Sequence, residues 1–145
     1  MTENIKEVRT QKDVTRFQGI YNRYRDVCED IRSTKEQILF LKEITEYKSP
    51  SLNGVGGASG CYDKVGGNAG KIVDLKRELG EKQALMLELW EELTGMISSL
   101  SNSTERRIMT ERHIKQKRWD KTAEDTILCE RLVFKLHKRA LEALQ

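Results

Sequence analysis

Apolar side chains recur at alternating steps of three and four residues along two long stretches of the chain. The first seam lies between about residues 11 and 47 and contains Val14, Phe17, Tyr21, Tyr24, Cys28, Ile31 and Ile38. The second lies between residue 71 and about residue 100 and contains Ile72, Leu75, Leu79, Met86, Leu89, Leu93, Met96 and Leu100. Because this spacing places side chains on one helix face, it predicts two long amphipathic helices, within 1–48 and 71–101. The first seam is widened by Leu39, Phe40, Leu41 and Ile44.

The segment between the seams, residues 49–70, holds seven of the ten glycines and the only proline. This composition predicts a flexible loop rather than a helix. Its GGNAGK run is not a phosphate-binding loop, because Val65 and Ile72 stand where glycine and a hydroxyl residue are required. We expect an antiparallel helical hairpin, with pairing either within one chain or between chains. Lys35 and Lys82 interrupt the seams, and we hypothesise that they set the register.

Residues 102–145 predict three short helices. Asn102 is the expected N-cap of the first, with Glu105 in a capping box, and its inner face is expected to contain Ile108, Met109 and Ile114. The second is predicted from Trp119 to about Thr126 and the third from about Glu130 to Leu144. Inward positions on the third are Val133, Leu136, Ala140 and Leu144. The predicted fold class is therefore all-α, a long helical hairpin followed by a small C-terminal helix-turn-helix.

Composition narrows the function classes. Charged residues make up 34% of the chain, which disfavours a compact enzyme with a deep apolar pocket. No stretch has the length and apolar character of a membrane span, and the three widely spaced cysteines suggest neither a disulfide framework nor a metal clip. We find no catalytic pair and no metal-ligand spacing, so we expect a non-enzyme without cofactor or metal in a reducing cytoplasm.

Basic charge is concentrated in the last part of the chain. Residues 1–104 contain 15 Lys and Arg against 16 Asp and Glu, whereas residues 105–145 contain 11 against 7. Such a concentration of basic residues is a candidate binding surface for a polyanion.

The C-terminal string ERRIMTERHIKQKRWDKTAEDTILCERLVFKLHKRALEAL resembles the helix-turn-helix of sigma factor region four. It is most similar to sigma-like late transcription regulators of phages and prophages, of the ArpU/RinA type. The residues that carry the resemblance are Trp119, Asp120, Ala123, Glu124, Glu130, Arg131, Val133, Phe134, Lys135, Leu136, His137, Arg139, Ala140 and Leu141. The resemblance extends over about residues 64–145 and includes the KIVDLKREL run at 71–79.

This resemblance implies a transcription regulator that binds double-stranded DNA in the cytoplasm of a bacterial host. Host RNA polymerase is a further candidate partner, and the long helices are expected to form a homo-oligomer. By position, the residues expected to contact bases are Glu130, Arg131 and Lys135. Those expected to contact phosphates are Lys121, Lys138, Arg139, Arg106, Arg107, Lys117 and Arg118. Trp119 is expected to anchor the core, and His137 to be a surface contact.

Four residues depart from the family pattern: Thr122, Thr126, Ile127 and Cys129. Ile127 stands where the turn favours glycine, so its backbone is expected to be strained. Thr126 places a hydroxyl in the expected core, and the Cys129 thiol is a poor N-cap. These departures leave two alternatives: the turn adopts another geometry, or the helix-turn-helix binds DNA more weakly than its relatives.

Two alternative functions remain open. A DNA-packaging protein of the small-terminase kind also combines a helix-turn-helix with coiled helices, although its DNA-binding domain is commonly N-terminal. A coiled-coil interaction protein, in which the basic tail only aids solubility, needs no DNA at all.

Overall fold

The computed structural model describes residues 16–47 and 59–145, which form helices joined by short connections and contain no strand. Two long helices, α1 (Arg16–Tyr47) and α2 (Ser59–Ser98), pack against each other within one chain. Three shorter helices follow: α3 (Ser103–Met109), α4 (Trp119–Thr126) and α5 (Glu130–Ala143). A π-helical turn, Thr110–Ile114, continues directly from α3 and is called the π turn below. The predicted all-α fold is confirmed.

The chain divides into two compact units. Of the described residues, one unit combines those up to Arg25 with Leu87–Gln145, and the other contains those between Asp26 and Met86. The first is called the C-terminal unit and the second the hairpin unit.

The hairpin unit is organised by the predicted seams, with one change of position. Ile31 and Ile38 are buried as expected, but the residue buried between them is Thr34, whereas Lys35 is exposed. Thr34 lies three residues after Ile31 and four before Ile38, so it continues the seam and Lys35 does not lie in it. Lys82 Nζ donates to Thr34 Oγ1 at 3.1 Å, and this hydroxyl donates to the Asp30 carbonyl at 2.8 Å. The register hypothesis therefore applies to Lys82 alone.

The predicted loop over 49–70 is wrong in its second half, because α2 begins at Ser59. Residues 49–58 lie outside the described part of the chain. Extending an existing helix adds one hydrogen bond per residue without a new nucleus. That gain offsets the roughly 1 kcal/mol by which each glycine disfavours a helix.

In the C-terminal unit, both long helices supply buried side chains. Phe17, Ile20, Tyr21 and Tyr24 of α1 are buried, together with Leu89, Leu93, Ile97 and Leu100 at the end of α2. Ile20 and Ile97 are additions to the predicted seams, and Val14 lies outside the described residues. An exposed ion pair between Arg16 and Glu92, 3.1 Å long, connects the two helices at this end.

No helix within the described ranges is long and apolar enough to cross a bilayer.

Gly80 provides a test of the α2 assignment. It lies inside the helix, and a Cβ at this position would meet no atom within 4 Å. Gly80→Ala should therefore raise the free energy of unfolding by roughly 1 kcal/mol. Urea denaturation followed by circular dichroism measures the change. The neighbouring exposed substitution Glu81→Ala should change it by a few tenths of a kcal/mol at most, and a loss of stability in Gly80→Ala would contradict the helix.

Candidate nucleic-acid interface

The three short helices enclose a small apolar core. Ile108 of α3, Ala123 of α4 and Val133 of α5 form its buried centre, with exposed fractions of 0%, 5% and 1%. Trp119, Leu128 and Leu136 pack around it. A turn of three residues, Ile127 to Cys129, joins α4 to α5. Two helices joined by a short turn and supported by a third are the arrangement of a helix-turn-helix.

Asn102 is the N-cap of the first of these helices, as the sequence predicts, but no hydrogen bond from the Asn102 N–H to the Glu105 carboxylate completes the capping box in the described part of the chain. Asn102 Oδ1 accepts hydrogen bonds from the backbone N–H of Thr104, at 2.9 Å, and of Glu105, at 3.1 Å. This satisfies two backbone donors that have no partner inside the helix. The Glu105 carboxylate lies 3.6 Å from Arg139 Nε, which connects α3 to α5.

The C-terminal end of the same helix differs from the expected regular helix. The chain widens into the π turn, and Gln116 then takes a left-handed backbone with φ of 53°. Lys117, predicted to contact phosphate, instead pairs with the carboxylates of Glu111 and Asp125. Hydrogen bonds from Lys115 and then Lys117 hold the pKa of Glu111 below its ordinary value, and Lys117, with a smaller contribution from Lys121, does the same for the pKa of Asp125. Since 27% of its side chain is exposed, Lys117 serves chiefly to connect the π turn with α4.

The turn between α4 and α5 carries the predicted strain. Ile127 has φ of 58° and ψ of 40°, and its side chain is 86% exposed. Its N–H donates to the Glu124 carbonyl at 3.1 Å, and the Leu128 N–H donates to the Ala123 carbonyl at 3.0 Å. This pair of bonds is the Schellman motif, whose left-handed position glycine usually occupies. The motif therefore forms despite a β-branched residue, at a cost of about 1–2 kcal/mol.

The two buried threonines do not disrupt the core. Thr122 Oγ1 donates to the Arg118 carbonyl at 2.9 Å, and Thr126 Oγ1 donates to the Thr122 carbonyl at 2.7 Å. A buried hydroxyl is costly only when it lacks a partner, and each of these has one. The expectation that Thr126 opposes the core is therefore corrected. By contrast, the Cys129 side chain makes no capping hydrogen bond at the start of α5, as the sequence predicts.

The base-contact candidates lie at the exposed surface of α5. Val133 and Ala140 are buried on one side of this helix, and Leu136 is half-buried. Arg131, Lys135 and Lys138 are exposed, and their spacing of four and three residues places them on one face. Glu130, in the first turn, is also exposed. The structure thus brings the three cations together on one face of α5.

Most of the predicted phosphate contacts have partners inside the protein. Arg106 donates to the Leu100 carbonyl, Arg107 donates to the Asp125 carbonyl at 2.7 Å, and Lys121 donates to Glu124 Oε2 at 3.2 Å. Arg118 is 89% exposed, and 3.7 Å separates its Nε from Asp120 Oδ1. With Arg139 beside Glu105, Lys138 and Arg118 are the cations most accessible to a phosphate.

A buried pair of histidines was missed by sequence reasoning. The Nε2 atoms of His113, in the π turn, and His137, in α5, lie 2.9 Å apart. Phe17 and Tyr21 of α1 contact the His113 ring edge to face, with centroids 5.0 and 4.4 Å away. His137 is therefore part of the packing rather than a surface contact. The spacing of the sequence could have revealed this burial. His113 lies four residues after the inward Met109, and His137 lies four residues after the inward Val133.

Burial determines the charge state of this pair. It lowers the pKa of His113 to about 3, with His137 and Arg112 adding to the shift. It lowers the pKa of His137 to about 4, again with a contribution from Arg112. His113 Nδ1 is buried without a hydrogen-bond partner, so we infer that the neutral His113 donates from Nε2. Among the described residues, no three His, Cys, Asp or Glu side chains form a group that could hold a metal ion.

Trp119 anchors the helices, as the sequence predicts. Its ring packs against Phe134 at a centroid distance of 4.8 Å and edge to face against His137 at 4.7 Å. The Arg112 guanidinium lies 4.6 Å from the Trp119 ring centroid, close enough for a cation–π interaction. Trp119 therefore joins α4, α5 and the π turn.

The strained turn predicts that Ile127→Gly stabilises the protein. Glycine adopts the left-handed backbone without a Cβ clash, and the lost side chain is almost entirely exposed. We expect the free energy of unfolding to rise by about 1 kcal/mol in urea denaturation. Glu124→Gly, in the regular part of α4, is the matched control and should lower it by a similar amount. Destabilisation by Ile127→Gly would show that the Ile127 side chain makes a stabilising contact.

The histidine pair predicts acid sensitivity. Both folded pKa values lie below the ordinary value of 6.5, so the unfolded chain binds more protons on acidification. Stability is complete above pH 6.5 and decreases as the pH falls toward 4 and then 3. Between pH 7.5 and 5.0 the free energy of unfolding should decrease by about 2–4 kcal/mol.

This window lies above the titration of the carboxylates, and the chain contains only two histidines. Urea denaturation of His113→Phe and His137→Gln, each compared with the wild type, isolates the effect. Each variant should show a smaller dependence on pH, and an unchanged slope in both would refute the assignment.

No protein-family model matches the chain, and no curated protein or solved structure is significantly similar to it.

Proposed function

We propose that this protein is a DNA-binding transcription regulator of phage or prophage genes, and that α5 is its recognition helix. The observation that carries the proposal is the exposed row of Arg131, Lys135 and Lys138 on α5, opposite the side buried by Val133 and Ala140. A recognition helix needs this combination, because one side must be fixed to the domain while the other enters the major groove.

The residues of this row, together with Glu130 and Arg118, suit different groups of the DNA. Arg131 and Lys135 are one helical turn apart and can donate to guanine O6 and N7. Glu130, at the start of the helix, can accept from cytosine N4. Lys138 and Arg118 are better suited to phosphates, which supply affinity without sequence information.

The internal pairing of the other cations bears on the expected affinity. Lys117, Lys121 and Arg139 already face carboxylates, so phosphate contacts by these residues would require ion pairs to rearrange. We therefore expect few phosphate contacts. Because each contributes about 0.9 to the slope of log K against log salt, a slope of about −3 to −4 follows from three or four contacts.

The proposed partners are double-stranded DNA, host RNA polymerase and a second copy of the chain, in the cytoplasm of a bacterial host. A dimer would read two half-sites about one helical turn apart. A protein-interaction role is the second candidate function, favoured by the exposed side chains of Leu39, Phe40 and Trp90 on the long helices.

The proposal is tested by DNA selection with the full-length protein. Double-stranded fragments are selected from a random pool, and fluorescence anisotropy then compares the selected with random DNA across a salt titration. The wild type should prefer the selected sequence by about a hundredfold, the effect of one to two bidentate base contacts. Arg131→Ala/Lys135→Ala should lose this preference while keeping weak, salt-sensitive binding.

Lys76→Ala/Arg77→Ala removes the same charge from exposed positions of α2 and should keep the preference. If no sequence is enriched and no binding occurs at low salt, the regulator proposal fails. If both double variants lose the preference equally, overall charge rather than α5 determines binding.

A further inference from the structure

A shallow groove between the two long helices lies in the hairpin unit. Its volume is about 390 Å³, and it is lined by Gln37, Phe40 and Leu41 of α1 and by Lys71, Asp74 and Leu75 of α2. We name it the Phe40 groove. Phe40 is 61% exposed in this groove, whereas Leu39, which is 57% exposed, lines a separate groove with Cys28 and Ile31. An exposed aromatic ring beside Leu41 and Leu75 is a candidate interaction surface.

The charges at this groove cancel. Lys71 and Asp74 lie three residues apart on α2, and neither forms an ion pair within the described part of the chain. A groove with one cation and one anion offers no net attraction to a nucleic acid. Its apolar floor and aromatic side chain are instead typical of the centre of a protein–protein interface.

We propose that the Phe40 groove is the contact surface for a second copy of this chain. In a two-fold dimer, each copy presents the same patch, so a contact from one residue to another occurs twice. A two-fold axis passing between Lys71 and Asp74 would place Lys71 of each copy opposite Asp74 of its partner. The same axis would bring the two grooves face to face. One patch thus supplies both members of each ion pair.

The size of the patch bears on the strength of the dimer. A stable interface buries about 1,200–2,000 Å² in total, of which a buried aromatic ring supplies about 150–250 Å². Six lining residues per copy are well below the roughly 20–30 residues a side of such an interface, so the groove forms only the centre of a weak contact. The dimer should therefore dissociate at micromolar concentration, within reach of sedimentation equilibrium between about 1 and 100 μM.

This inference deepens the homo-oligomer named under the proposed function, and its test uses no DNA. Full-length wild type should sediment as a monomer–dimer mixture, and Phe40→Lys should weaken dimerisation at least tenfold. Leu87→Lys is the matched control, since Leu87 is 52% exposed on α2 but lies outside the groove, and it should dimerise as the wild type does. Circular dichroism confirms that each variant keeps its helices.

The proposed ion pairs between Lys71 of one copy and Asp74 of the other are tested by exchanging the two charges. Lys71→Asp and Asp74→Lys should each weaken self-association, because each places like charges opposite one another. The double variant Lys71→Asp/Asp74→Lys should dimerise again, and a mixture of the two single variants should form a heterodimer. A partner of different sequence would give neither recovery.

A wild type that stays monomeric at 100 μM, or a Phe40→Lys dimer of unchanged strength, would overturn the proposal. So would a double variant and a mixture that both remain monomeric. Arg131→Ala/Lys135→Ala should dimerise normally whether or not the wild type binds DNA, so failure of the DNA-binding proposal is distinguished from failure of this one.

Discussion

Burial of one side of α5 determines which of its side chains reach solvent, and the proposed interface depends on that constraint. Val133 and Ala140 are almost completely buried, and Val133 packs with Ile108 and Ala123. Further contacts come from His137, which meets His113 and Trp119, and from Arg139 beside Glu105. These contacts come from α3, the π turn and α4, so α5 is held from several directions. The face that carries Arg131 is consequently directed away from the core.

The turn that leads into α5 lowers the stability of the domain, whereas the packing of α5 itself raises it. Ile127 holds a left-handed backbone, and Cys129 leaves the start of α5 without a side-chain cap. Hydrogen bonds of the Schellman motif hold the C-terminal end of α4, and the ion pairs of Lys117 connect Asp125 in its last turn to Glu111 of the π turn. The same bonds occupy Lys117, so a residue that looks available in the sequence is used to hold the domain together.

Periodicity predicts the faces of these helices well. The seams, the Asn102 cap, the exposed row on α5 and the strain at Ile127 all follow from the spacing and chemistry of neighbouring residues. Partners distant in the sequence do not follow from such patterns. The ion pairs of Lys117 and the contact of His113 with His137 form only when separate helices meet. Thr34 displaces Lys35 from the seam for a related reason, since its hydroxyl meets both Lys82 and its own helix backbone.

If the exposed face of α5 meets DNA, nuclear magnetic resonance can locate the contact residue by residue. Selected double-stranded DNA would be titrated into ¹⁵N-labelled full-length protein, and amide shifts followed along the chain. We expect the largest changes on residues 130–138, with smaller ones near Arg118, and we expect Arg131→Ala/Lys135→Ala to remove them. Changes confined to Asp26–Met86, or no change at saturating DNA, would contradict this expectation.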